Sequence, residues 1–200
     1  LLSPLQAQQG AADRTAKRIA LDLASDAFFE RLADAPESPM AQAYTQFLES
    51  ADFWLEDYVR FHAFRHSEQK RSWSEWPRGL RERDTRSCDE LAEKLAGQIS
   101  KLRFRQFVFD CQWQELRRYA NERGVLLFGD IPIYVHLESA DVWAHQELFN
   151  LDHLGHPITV TGVPPDYFCA EGQLWGNPQY NWQLMRETGF HWWLQRFDSA

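Results

Sequence analysis

"GVLLFGDIPIYV" (residues 124–135) and "TGVPPDYFCAEGQLWGNPQYNW" (residues 161–182) are the two most informative passages of the chain. A long helical pattern runs up to Gly124, a residue free to adopt the left-handed conformation that stops a helix. Val125–Phe128 is then an apolar run of strand length. The order reads as helix, tight turn, buried strand. Gly129 ends the strand and Asp130 follows, so a carboxylate is expected just past the carboxyl end of a buried strand. In α/β barrels and open α/β sheets, ligands and chemistry are placed at that end.

Working outward, the 200 residues are enough for one domain with a core, and the composition is that of a soluble globular protein. Lys and Arg total 21 against 29 Asp and Glu, a net charge of -8. That balance repels phosphate backbones and anionic lipid surfaces, which argues against nucleic-acid and membrane partners. No apolar run reaches membrane-spanning length, and "LLSPLQAQQG" lacks the basic and apolar regions of a signal peptide. Cys88, Cys111 and Cys169 are odd in number and widely spaced, so a reducing, cytoplasmic compartment is expected rather than a disulfide framework. Nine Trp and fourteen Phe are many for this length, and several stand among Gly, Pro and polar residues where core filling does not explain them. The chain starts without Met and ends inside a helical pattern at "WLQRFDSA", which reads as a piece of a longer protein.

Upstream, Ser25 is placed to cap a short helix carrying "AFFERLA" (27–33). From Ala41, residues Tyr44, Leu48, Ala51, Leu55, Tyr58 and His62 recur at three- and four-residue steps, the stripe of one long helix. "RHSEQKRSWSEWPRGLRERDTRSC" (65–88) reads as a surface loop docked by Trp73 and Trp76; no Gly-rich cradle accompanies its arginines, so a solvated face outweighs a phosphate site. Asp89–Arg123 is the strongest helical pattern, with Leu91, Leu95, Ile99, Leu102, Phe109, Trp113, Leu116 and Ala120 on one stripe and Gly97 as a possible division. Phe104, Phe107, Val108 and Cys111 widen its apolar surface. After the central strand, Ser139 precedes a short helix, "ADVWAHQELF", with Asp141 in its first turn. About thirty residues rich in Gly, Pro and Asn follow, a length that marks a functional or disordered loop; the aromatics and the β-like "ITVTG" (158–162) argue against disorder. Asn181 is placed to cap a closing helix with Leu184, Trp192, Trp193 and Leu194.

The loop from Gly162 to Tyr180 gathers Asp166, Tyr167, Phe168, Glu171, Gln173, Trp175, Asn177 and Tyr180. Sugars bind to such a mixture, laying C–H faces on aromatic rings while carboxylates and amides take the hydroxyl groups. Pro164 and Pro165 restrict the backbone before Tyr167 and Phe168 and help present the rings outward. On composition alone, a packed loop scaffold stays open beside sugar binding.

"GDIPIYV", "SADVWAHQELFNLD", "GVPPDYFCAEGQLWGNPQYNW" and "GFHWWLQRF" resemble the 4-alpha-glucanotransferases, also called amylomaltases or disproportionating enzymes, which are relatives of the α-amylases. "FWLEDYVRFHAFR" and "WSEWP" resemble the same family upstream, and the likeness is dense from about Phe53 onward. It implies an α/β fold, a partial (β/α)8 TIM barrel with an inserted helical subdomain, truncated at both ends. Residues 1–88 would be a mainly helical segment and the inserted subdomain; residues 89–200 would supply a barrel helix, the third barrel strand, a substrate lid and the following helix of one incomplete catalytic domain. The implied reaction transfers α-1,4-glucan segments to an acceptor sugar, with maltooligosaccharides as partners and no metal or other cofactor. By the same resemblance Asp130 occupies a substrate-binding position, Tyr167 and Phe168 are lid rings near bound glucan, Asp166, Gln173 and Asn177 are polar contacts, and Trp175 is a stacking or wall residue. Cys169 and Leu174 depart from the family's usual Ser and basic residue. The family's retaining chemistry needs an Asp nucleophile and a Glu acid/base about 5 Å apart. No "R-I-D-H-F-R-G" stretch that would carry that nucleophile occurs here. The nucleophile and the acid/base are both expected beyond Ala200, so no catalytic residue is assigned and this 200-residue chain is expected to be inactive by itself.

Other readings compete. Asp130 could instead tie down a neighbouring loop. His136 with Asp141, or His153 with His156, could ligate a metal, but no cluster has settled ligand spacing and surface histidines are the simpler reading. Cys169 has no nameable base and is expected to be an inert thiol. A non-catalytic glucan-binding module and an α-amylase-type hydrolase are the alternative functions.

Overall fold

The computed structural model describes residues 4–198. Ala200, past which the nucleophile and acid/base are expected, lies outside the described residues. Helix α1 runs Pro4–Asp34, α2 Pro39–Ser50 and α3 Asp52–Ser67; the short α4 (Arg78–Arg81) leads to α5 (Thr85–Lys94) and α6 (Ala96–Asn121). Beyond these come α7 (Ala140–Ala144), strands β1 (Val160–Val163) and β2 (Gln173–Pro178), and helices α8 (Trp182–Glu187) and α9 (His191–Asp198). The fold is mixed helix and strand.

Local chemistry accounts for most boundaries, including several that differ from the sequence reading. Ser38 accepts from the Ala41 amide and Pro39 opens α2, an arrangement suited to a helix start. The single helix expected through His62 breaks at Ala51. There the Ser50 hydroxyl donates to the Phe47 carbonyl at 3.0 Å, the same carbonyl that accepts from the Ala51 amide, and α3 restarts with Asp52 in its favourable first turn. Ser25 is no cap: it lies buried inside α1, because the Ala-rich sequence before it already continues the helix. The long pattern around Gly97 does divide, at Leu95, and Asp84 caps its first part through the Ser87 amide. Gly124 ends the second part at φ +73, as its conformational freedom allows. The closing helix is two: Asn181 caps α8 through the Leu184 amide, and Gly189 and Phe190, both at positive φ, separate it from α9.

The chain forms two compact units, each drawing on both halves of the sequence. The first contains the residues up to Asp52 and Gly97–Val125. Its core is a set of rings from three helices: Phe28 lies 5.3 Å from Tyr44 and 5.0 Å from Phe104, and Phe107 lies 5.2 Å from Tyr44 and 5.7 Å from Phe47. Edge-on and tilted pairs of this kind add to the burial of the rings themselves. The stripe expected on α6 is therefore buried only in part, at Ile99 with Phe104 and Phe107 beside it, while Phe109, Trp113 and Leu116 are exposed. An apolar stripe says that a face can be covered, not which element covers it.

The second unit contains Phe53–Ala96 and the residues from Leu126 onward. Phe61, Phe64, Trp76 and Trp143 form its centre, with Trp143 5.9 Å from each of the other three rings. Trp73 is also buried and its indole donates to the Leu137 carbonyl at 2.8 Å, while the Trp143 indole donates to Leu80 at 3.0 Å. Both indoles of 65–88 are thus docked as expected. The rest of that stretch is more ordered than a loop, since it contains α4 and the start of α5.

The expected buried strand is the main departure. Val125, Leu126, Leu127 and Phe128 are exposed, and among the described residues no strand pairs with them. A parallel strand is buried only when neighbouring strands and covering helices surround it. The only sheet among the described residues is the antiparallel pair β1–β2.

Candidate functional site

The hairpin β1–β2 presents the Gly162–Tyr180 sequence. Val163 pairs with Gln173 and Gly162 with Leu174, but the next pair is Val160 with Pro178. Trp175, Gly176 and Asn177 therefore lie opposite Thr161 alone, a bulge that turns the strand and re-aims its side chains. Gly176 takes φ +78 within it. Gly162 is required here, because a Cβ would stand 2.6 Å from the Gln173 carbonyl oxygen.

The hairpin tip is fixed by short-range hydrogen bonds. One Asp166 carboxylate oxygen accepts from the Phe168 amide at 2.9 Å and the Cys169 amide at 2.8 Å, and the Asp166 amide donates to the Cys169 carbonyl. This is the turn that a short acidic side chain builds with its own backbone. The Cys169 thiol donates to the Gly172 carbonyl at 3.0 Å, so it takes part in the same turn. Gly172 closes it at φ +74, with no room for a Cβ against the Val163 carbonyl. Tyr167 and Phe168 project from this frame 97% and 90% exposed, their rings edge to face at 5.5 Å.

At the base of the hairpin, the Trp175 indole donates to Gln173 Oε1 at 3.0 Å and its ring meets Tyr134 at 6.2 Å. Tyr134 in turn stacks on the buried Tyr180. The hairpin and the "GDIPIYV" segment are thus brought together. Asp130 is exposed near the start of that segment, and among the described residues no hydrogen bond joins it to the hairpin. Asn177 is half-buried within the bulge. Of the residues singled out from sequence, Tyr167 pairs with Phe168 and Gln173 with Trp175; Asp166 shapes the tip; Asp130 stands apart.

Two residues of this region, Tyr134 and Arg196, escaped the sequence reading as site residues, and Tyr180, gathered there with the loop, proves to be buried. Tyr134 and Tyr180 join the segment to the hairpin, and Arg196 reaches the same segment from α9. Their signal was present in "IPIYV", "NPQYNW" and "GFHWWLQRF", where aromatic and basic residues accumulate, but sequence alone did not pair them. The Tyr180 phenol is pushed up to about 12, mainly by burial, so it remains a hydrogen-bond donor.

Near the hairpin, Asp152 accepts from the Leu154 and His156 amides, and these bonds hold its carboxyl below the usual range, the His156 amide foremost. The His153–His156 stretch is a capped turn. Among the described residues, no group of three or more His, Cys, Asp or Glu side chains is placed to hold a metal ion. Cys88, Cys111 and Cys169 are free thiols, and no helix among the described residues is long and apolar enough to cross a membrane.

The molecule is a protein of mixed helix and strand whose hairpin presents two exposed rings on a hydrogen-bonded frame, with carboxylate and amide groups beside them. The chain belongs to the 4-alpha-glucanotransferase family, whose family model matches residues 7–200. It is 46% identical to the 4-alpha-glucanotransferase of Aquifex aeolicus over 150 residues, 75% of this chain and 31% of the relative. It is 41% identical to that of Synechocystis over 164 residues, 82% of this chain and 32% of the relative. Among solved structures, an amylomaltase from Streptococcus agalactiae in complex with acarbose aligns with a TM-score of 0.76 at 34% identity, over 87% of this chain and 35% of the other. The chain therefore spans about a third of the length of the curated relatives it matches.

Proposed function

We propose that the whole protein is a retaining 4-alpha-glucanotransferase, which passes α-1,4-glucan segments from one maltooligosaccharide to another, and that this chain supplies part of its substrate cleft. The observation that carries the reading is the hairpin tip: two almost fully exposed rings on a frame pinned by Asp166, in a chain of this family. In this reading Val125–Phe128 is the third strand of a (β/α)8 barrel, Asp130 lies at its carboxyl end, and Gly162–Trp175 folds over bound glucan. Tyr167, Phe168 and Trp175 take sugar faces; Gln173 and Asn177 take hydroxyl groups; Asp166 acts chiefly by holding the two rings. In this reading the nucleophile and acid/base are supplied by the rest of the whole protein, since this chain spans about a third of its relatives' length. The free thiols fit a reducing compartment such as the cytoplasm.

Rings closing over a glycosyl-enzyme would exclude water and hold an acceptor sugar at high effective concentration, which favours transfer over hydrolysis. The test uses the whole protein with maltotriose. Disproportionation should yield glucose together with glucans longer than the substrate. The double variant Tyr167→Ala with Phe168→Ala should lower the ratio of transfer to hydrolysis by about tenfold. Glucose and maltose as the sole products would indicate a hydrolase, and binding without turnover would indicate a glucan-binding module.

A further inference from the structure

The segment that carries Asp130 pairs with no strand among the described residues, so its backbone must be fixed by something other than a β-ladder. Two successive carbonyls in it are held by side chains from elsewhere in the same compact unit. The Tyr180 hydroxyl donates to Ile133 O at 2.7 Å, and Arg196 Nη2 donates to Pro132 O at 3.0 Å. One such bond leaves the peptide free to turn about its acceptor; bonds to two consecutive carbonyls fix the backbone on both sides of Ile133.

Both donors are themselves immobilised. Tyr180 is buried, with Phe149 at 5.2 Å, Trp193 at 5.5 Å and Trp192 at 5.8 Å around its ring. The Arg196 guanidinium lies 4.8 Å from the Trp192 ring and 4.7 Å from the Trp193 ring, where cation–π attraction holds it in place. The Arg196 charge acts on the Tyr180 hydroxyl, against the larger effect of burial, so the two donors stand close together. Tyr180 further stacks on Tyr134, the ring that meets Trp175. The anchors on Asp130's segment and the wall of the hairpin therefore share a single support.

We propose that Tyr180 and Arg196 are a positioning pair, a two-point clip on Pro132 and Ile133 that sets where Asp130 stands relative to Trp175. The inference deepens the proposed function and rests on its reading of Asp130 and Trp175 as glucan contacts. Neither clip residue touches substrate. Misplacing Asp130 should weaken glucan binding, while the reacting groups outside this chain keep their chemistry.

The test compares the whole wild-type protein with Tyr180→Phe, Arg196→Met and Arg196→Lys. Tyr180→Phe removes only the hydroxyl and keeps the buried ring, so loss of folding does not confound it. Arg196→Lys restores a charged donor that Arg196→Met lacks. Without substrate, the NMR order parameters of the Ile133 and Tyr134 amides should fall in Tyr180→Phe and Arg196→Met, with partial recovery in Arg196→Lys. With maltotriose, KM should rise about fivefold in Tyr180→Phe and Arg196→Met while kcat changes less than about twofold. Unchanged order parameters at these amides in both variants would overturn the clip. So would a fall in kcat at constant KM with Arg196→Lys no better than Arg196→Met. Because the order parameters are read without substrate, they decide the clip even if the wild-type protein transfers no glucan, a result that would overturn the proposed function instead.

Discussion

Trp143 is 1% exposed and Tyr167 is 97% exposed, yet both are aromatic side chains of the same compact unit. Trp143 is held by Phe61, Phe64 and Trp76 and by a hydrogen bond from its indole to Leu80. Tyr167 touches only the ring next to it among the aromatic contacts, and its position comes from a backbone turn built by Asp166. Where a ring is the core, its neighbours hold it. Where it stands open to solvent, the chain beneath it does that work.

The sharpest way to break this contrast is Trp143→Ala. Removing a fully buried indole should cost about 3–5 kcal/mol, read as a lower urea midpoint by circular dichroism, whereas the Tyr167→Ala and Phe168→Ala double variant should stay within about 0.5 kcal/mol of wild type. Equal losses in the two would show that the tip rings are structural. A smaller effect is expected from Gly172→Ala, where φ is +74 and a Cβ would meet the Val163 carbonyl at 2.6 Å. Strain of about 1–3 kcal/mol at that turn should open the tip and speed exchange of the Phe168 and Cys169 amides about tenfold. Unaltered exchange would mean that Asp166 alone sustains the frame.

The smallest effect concerns His62, which packs 4.3 Å from the Tyr58 ring. Burial, and then the charge of Arg65, lower its pKa below the usual 6.5. The unfolded chain therefore binds a proton first as pH falls, so stability is highest above about 6.5 and declines from there down to the folded-state pKa. His62→Gln should flatten that decline between pH 7.5 and 5. The same slope in the variant would assign the decline to other groups.

Sequence patterns located the indole anchors, the caps at Ser139 and Asn181, the helix stop at Gly124 and the outward rings, because each rests on neighbours close in the chain. They missed the break at Ala51, which follows from one serine hydroxyl bonding back to Phe47, and they could not show that α1 already continues through Ser25. Val125–Phe128 was read as buried because apolar runs of that length are, but burial depends on partners that a single segment does not encode. The candidate site was legible as a set of residue types. What was not legible is the division of labour, in which Asp166 serves the turn, Gln173 serves the Trp175 indole, and Tyr180 and Arg196 reach the Asp130 segment across more than forty positions of chain.

The mismatch between Thr161 and the three residues facing it has a consequence for how this hairpin tolerates change in length. Side chains alternate between the faces of a strand, so shortening Trp175–Asn177 by one residue would send the remaining side chains to the opposite face while the paired ends at Val160 and Gln173 stayed in place. A one-codon deletion could leave the helices and the hairpin ends untouched and still turn the indole away from Tyr134. At this spot residue count governs what the surface offers as much as residue identity does.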